Sequence, residues 1–158
     1  MPQHPPRVLF VCLHGSAKSV IAAEHFRRIA AERGVCVEAG SAGLEPDLEV
    51  PPHVVAGLLA DGLDVELRRP RGLTRAQAEA ATWIVSFAPN LSGDVIAGCA
   101  IEYWTDVPAV SDGYDAARHA IVGRVRALVD DVVARGMTGV RQRALDGLKS
   151  SAAPGDSE

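Results

Sequence analysis

The chain reads as an α/β domain, a parallel sheet covered by helices on both faces. Three observations point there. Two short continuous apolar runs, Val8-Leu9-Phe10-Val11 and Trp83-Ile84-Val85-Ser86-Phe87, are rich in β-formers and suit strands buried on both faces. Segments of helical spacing lie between and after them. Glycine and proline mark the joins, so strand and helix alternate along the chain, as they do where parallel strands are linked by crossovers.

The first run leads directly into Cys12. From about Ser19 to Arg33, Ala22, Phe26, Ile29 and Ala30 recur at helical spacing, and Gly34 supplies a stop. Val35 to Ala39 reads as a second strand closed by Gly40 to Gly43, and Pro46 to Pro52 as an extended linker in which prolines oppose helix. A helix is expected from Pro52 to Asp61, ended by Gly62. After the basic segment Arg68-Arg69-Pro70-Arg71, Thr74 is a suitable N-cap for a short helix through Ala80. The third strand is Trp83 to Phe87, and after a loop over Ala88 to Gly98 a short fourth strand is expected around Ile101 to Trp104. Ile121, Val125, Leu128, Val129, Val132 and Val133 then draw one apolar stripe, which predicts a long helix from about Tyr114 to Arg135.

With 158 residues, 47% of them hydrophobic and 23% charged, the chain is read as one domain over 7–136. Residues 1–6 form a flexible lead. Residues 137–158, ending in Ser-Ser-Ala-Ala-Pro-Gly-Asp-Ser-Glu, are expected to be disordered or frayed, since that composition buries too little to offset ordering entropy. Sixteen basic against twenty acidic side chains give a net charge of −4, which argues against nonspecific nucleic-acid binding. No apolar run is long enough for a membrane span and the lead lacks a basic, then apolar, export signal. Three widely spaced cysteines (Cys12, Cys36, Cys99) form neither a disulfide framework nor a paired metal motif. His4, His25, His53 and His119 have no metal spacing. A cytoplasmic protein with reduced thiols, no metal and no cofactor is expected.

The stretch that carries chemistry is Cys12-Leu13-His14-Gly15-Ser16-Ala17-Lys18-Ser19. A loop of this length between a buried strand and a helix start turns successive backbone N–H groups inward at the positive end of the helix, forming an oxyanion cradle. A cysteine at its base lies among those dipoles and near Lys18, which favours thiolate and nucleophilic attack. Ser19 can donate to that sulfur, His14 can tune it, and Gly15 permits the left-handed backbone a tight loop requires. Leu13, His14, Gly15, Ser16, Ala17, Lys18 and Ser19 are the candidate phosphate-binding residues, with Cys12, Lys18 and Asp106 as the catalytic candidates.

The sequence resembles the low-molecular-weight protein tyrosine phosphatase superfamily, which also contains thiol-coupled arsenate reductases. Beyond the loop, Ser41-Ala42-Gly43 is similar to the family's Ser-Ala-Gly. Gly62-Leu63-Asp64 with Arg68 to Leu73 is similar to its Gly-Ile-Asp and basic segment, and Trp104 to Ala109 to the region of its general acid. The resemblance covers residues 7 to 135 and implies a three-layer, flavodoxin-like fold with a four-stranded parallel sheet. It departs at three points. Lys18 stands at the position of the family's arginine, and a point charge cannot reproduce a guanidinium's planar fork. Gly15 replaces an asparagine that braces the loop. The family's Asp-Pro is written Asp106-Val107-Pro108, so Asp106 is the first candidate for the acid and Asp112 the second.

The resemblance implies a cysteine-dependent phosphomonoester hydrolase of low intrinsic activity, working through a thiophosphate intermediate on a phosphorylated protein or a small phosphate ester. Few aromatics are available to stack on a phosphotyrosine ring, and none lies in Leu44 to Pro52 or Val107 to Val110. A thiol-dependent arsenate reductase is the first alternative. Its usual relay needs two further cysteines where this chain has Ala88 to Ser92; Cys36 is expected to be core. A noncatalytic phosphate-binding module is the second, kept open by Lys18.

Overall fold

A computed structural model describes residues 5–89, 91 and 101–152, those after 134 by their backbone path alone. Four strands, β1 (Arg7–Cys12), β2 (Glu38–Gly43), β3 (Trp83–Ser86) and β4 (Ile101–Tyr103), form one sheet in the order β2-β1-β3-β4. Every pairing is parallel. The helices are α1 (Lys18–Glu32), α2 (Pro52–Ala60), α3 (Arg75–Ala80) and α4 (Tyr114–Ala152), with a 3-10 turn over Val110–Asp112.

Alternation along β1 divides the core in two. Val8, Phe10 and Cys12 face a large cluster that includes Phe26 of α1, Leu58 of α2 and Ile121, Val125 and Val129 of α4. Leu9 and Val11 face a smaller one with Ala42, Ile84 and Ala78 of α3. The result is the expected three-layer, flavodoxin-like arrangement. Thr74 caps α3 with a capping box, its hydroxyl accepting from the Gln77 N–H while the Gln77 side chain accepts from the Thr74 N–H. Among the described residues no helix is long and apolar enough to cross a membrane.

Three expectations change. The second strand is Glu38–Gly43 rather than Val35–Ala39. Gly34, at φ 68°, closes α1, with Val35 N–H donating to Ala30 O at 2.8 Å, so these residues end the helix before the strand can begin. The last helix continues to Ala152, past the end expected near Arg135; the glycines at 136 and 139 weaken a helix without ending it. Residues 153–158 and most of the loop expected over Ala88 to Gly98, with Cys99 beyond it, lie outside the described residues. Val133, read as part of the apolar stripe, is 45% exposed.

A polar cluster joins α1, α2 and α4. Asp61, which caps α2, accepts from Arg118 Nε at 2.6 Å and Nη2 at 2.9 Å, and His25 Nε2 lies 3.4 Å from it. The Arg118 hydrogen bonds hold the Asp61 carboxyl below its ordinary pKa, and burial pushes His25 below its own. Tyr114 packs where a Cβ on Gly57 would stand, and burial raises its hydroxyl to about 12.

Candidate active site

Cys12 ends β1 at the carboxyl edge of the sheet, where parallel α/β sheets present ligand sites. Its sulfur is buried and lies 3.0 Å from the Ser19 hydroxyl on the first turn of α1. Residues 13 to 17 bridge the two elements. Gly15 adopts φ 63°, the left-handed conformation expected of it.

The following segment fixes the loop's orientation. Cys12 O, Leu13 O and His14 O accept from the N–H groups of Leu44 at 3.2 Å, Glu45 at 2.7 Å and Asp47 at 3.0 Å. A trans peptide plane points its N–H opposite its carbonyl, so the N–H groups of Leu13, His14 and Gly15 face the other way, toward the cradle. Among the described residues no acceptor takes up the N–H groups of Leu13 to Ala17. Ala17 is the N-cap of α1 and supplies no side-chain cap, and the first turn carries no acidic residue. Among the described residues the positive end of α1 is thus left without a partner, which is the environment an oxyanion requires.

Where the family's asparagine brace is missing, a different brace stands. Ser16, buried, donates to Asp47 Oδ2 at 2.7 Å, and His14 Nδ1 donates to Glu45 O at 3.1 Å with Asp47 Oδ1 3.5 Å away. Asp47 was not legible as a site residue, since no sequence spacing links it to the loop. His14 turns outward to this segment, half-exposed, instead of tuning Cys12. Gly15 also has to be small: a Cβ there would meet Gly43 N at 2.6 Å, and one on Gly43 would meet Gly15 N at 2.5 Å. The two backbones touch, and the Ser-Ala-Gly strand end is the wall of the loop.

Lys18 does not point into the cradle. Its ammonium donates to Val107 O at 3.1 Å, tying the start of α1 to the loop that carries Asp106. Asp106 itself is held outside, 2.5 Å from Arg124 Nη2 and 73% exposed. Asp112 ends the 3-10 turn and is exposed. The structure brings together Cys12, the loop residues and Ser19, and it places Val107, next to Asp106, at the loop's flank.

A family model described as low molecular weight phosphotyrosine protein phosphatase matches residues 7–120. The chain belongs to this family. No curated protein matches it in sequence. Similar solved structures include a thioredoxin-dependent arsenate reductase of Corynebacterium glutamicum, at TM-score 0.73 and 24% identity over 86% of this chain and 66% of that one. The chain therefore spans just under two thirds of that reductase. An arsenate reductase of Archaeoglobus fulgidus matches at TM-score 0.61 and 26% identity, covering 78% and 98% of the two chains. A low molecular weight protein tyrosine phosphatase from T. tengcongensis matches at 0.67 and 19%, covering 79% and 98%.

Both activities thus occur on this fold, and the sulfurs and rings around the site bear on which one applies. Cys36 is exposed, not core as expected, and precedes β2, so it sits at the edge of the sheet opposite Cys12. One strand length, roughly 17–20 Å, separates those edges. Of the aromatics, Phe10, Phe26, Phe87, Trp83 and Trp104 are buried, Tyr114 is half-buried and Tyr103 alone is exposed. The rim beside the loop carries the exposed side chains of Leu13 and Leu44 instead.

Proposed function

We propose that this family member is a cysteine-dependent phosphomonoester phosphatase of low intrinsic activity. The observation that carries the reading is the Cys12 sulfur at the floor of a loop whose first three carbonyls are bonded to the following segment and whose amides have no acceptor among the described residues. The Cys12 thiolate attacks phosphorus as the ester P–O bond breaks, and the amides of Leu13 to Lys18 hold the phosphoryl oxygens. Asp106, once released from Arg124, protonates the departing oxygen. A water then attacks the thiophosphate and gives its proton to the same carboxylate; the S–P bond breaks and inorganic phosphate leaves. Lys18 supplies charge beside the loop and seats Val107, but as an ammonium it lacks the two-pronged grip of arginine, which is the reason for low activity. The sparse aromatic rim supports a small ester or a phosphorylated protein bound through contacts other than ring stacking. The cytoplasm, where thiols stay reduced, is the compartment this chemistry favours.

Intact mass spectrometry of acid-quenched protein mixed with p-nitrophenyl phosphate tests the intermediate. A phosphoryl adduct is expected on Cys12 and absent in Cys12→Ser, and turnover that survives Cys12→Ser would reject the mechanism. The second reading, an arsenate reductase, draws on the reductases among the similar structures. With Cys36 at the far edge, it requires an external thiol or Cys99. Arsenate-dependent consumption of a low-molecular-weight thiol or of reduced thioredoxin would favour it. Vanadate binding without any Cys12-dependent reaction would instead identify a phosphate-binding module.

A further inference from the structure

A second basic site lies beside the cradle. A cavity of about 510 Å³ opens along the outer edge of β2, and Arg7, Arg27, Arg68, Arg69 and Arg71 line it, together with Ser41. No carboxylate is among its lining residues. Five of the sixteen basic side chains of a chain whose net charge is −4 therefore converge on one concavity. Such a concentration needs a reason, because mutual repulsion opposes it and a concave low-dielectric wall strengthens the field.

Part of the charge is compensated from behind. Glu38 holds Arg7 at 3.0 Å, and Glu24, itself 9% exposed, holds both Arg27 and Arg68, the latter at 2.7 Å. Arg27 also donates to Ala39 O at 3.1 and 2.7 Å, capping the sheet edge. These contacts fix three guanidiniums in place while leaving them outnumbering their carboxylates. Arg69 and Arg71 are exposed and have no carboxylate partner among the described residues. Fixed arginine forks with spare donors match carboxylates and phosphates, whose oxygens accept two parallel N–H bonds.

The cavity also has a set place relative to Cys12. Ser41 pairs with Phe10 and Gly43 with Cys12, so the near end of the cavity wall is two residues, about 6–7 Å, back along β2 from the loop, and Arg7, level with Glu38, is five back. The backbone joins them too: Gly43 N–H donates to Arg71 O at 2.8 Å. That spacing is the separation between side chains two residues apart on an extended peptide, which rise together from one face.

We infer that the arginine cavity receives an acidic side chain flanking the phosphorylated residue, making acidic phosphopeptide segments the preferred substrate class. This rests on the phosphatase reading for its second half; the anion preference of the cavity stands without it. Labelled peptides with a central phosphotyrosine flanked by glutamates or by glutamines, and the glutamate peptide without phosphate, are titrated against Cys12→Ser protein by fluorescence anisotropy. At low ionic strength the glutamate phosphopeptide is expected to bind about tenfold more tightly than the glutamine one, an advantage that shrinks as salt screens it. Arg69→Gln with Arg71→Gln should abolish the advantage, and Arg69→Gln alone, at a side chain without an ion pair among the described residues, should reduce it. Turnover of p-nitrophenyl phosphate by the double variant in the Cys12 background should stay within about twofold of the parent, since that ester has no flanking acid. Equal affinity for both peptides, or a preference that survives the double substitution, overturns the inference. Absence of p-nitrophenyl phosphate turnover in the parent would count against the phosphatase reading alone, because the glutamate preference is scored on binding.

Discussion

Helix α1 contributes to two polar regions that solve opposite problems. At its start, the loop from Cys12 binds its first three carbonyls to Leu44, Glu45 and Asp47 and leaves its amides without an acceptor among the described residues. One face further along, His25 meets an Asp61–Arg118 pair whose charges are spent on each other. Buried polar groups normally find partners within the protein; in the second region Asp61 and Arg118 do, while His25 Nε2 and the Tyr114 hydroxyl are buried without a hydrogen bond among the described residues. In the first the unpartnered groups are backbone donors gathered at the positive end of α1, whereas the second is centred on a charged pair closed on itself, and that difference sets the proposed anion site apart from a contact between helices.

The contrast can be broken at either end. Cys12→Ser should remove turnover by about 10⁴-fold or more while leaving the melting temperature close to the parent's, since the hydroxyl replaces sulfur at the same site. Thermal unfolding followed alongside steady-state kinetics checks both halves. Gly43→Ala should cost about 10²-fold in rate, because its Cβ would stand 2.5 Å from Gly15 N and backbone must shift to admit it. If the cradle tolerated that methyl with full activity, the loop's position would not matter to the chemistry.

At the structural end, Asp61→Asn should destabilise by about 2 kcal/mol, or ~4–8 °C in melting temperature, with kcat unchanged. Loss of activity in the folded variant would mean that the two regions are not separable. A smaller effect sharpens the cradle itself: Lys18→Arg should raise the rate by up to about tenfold by restoring the two-pronged grip, and a lower rate would show that the Val107 tether matters more than the grip. The smallest effect concerns pH. Burial lowers the His25 pKa from 6.5, so its neutral form favours the fold, and stability present above 6.5 declines as pH falls through the folded value. Asp61, also lowered, adds to the loss only at more acidic pH, below its ordinary carboxyl value of 3.8. Melting curves between neutral and mildly acidic pH should therefore fall for the parent and flatten for His25→Gln.

What the sequence revealed follows the range of the interactions involved. The run Val8 to Val11, the Gly15 turn and the Thr74 cap are decided by neighbours in the chain, and each appears where its residues predict. Gly40, Ser41, Ala42 and Gly43 have the composition of a turn, which places the expected second strand too early; they form a strand since tertiary pairing with β1 overrides weak propensity and the loop's approach demands small residues. Asp47, the brace for Ser16, left no trace in spacing, because it meets the loop only once β2 has docked. Asp106 is a candidate by its position in the chain, yet its direction, toward Arg124, depends on where α4 lies.

The contact between Gly15 and Gly43 has a consequence for how the site comes into being. It joins a loop on one strand to the end of another, so the geometry of the cradle is a non-local property and its formation must wait for loop closure between the two. A peptide spanning only β1 and α1 would contain Cys12, every amide and Lys18, yet it would lack the wall that aims them. The motif is local, whereas the site exists only after chain topology is complete, and partial unfolding at the β2 edge would dismantle it while most of the core remained intact.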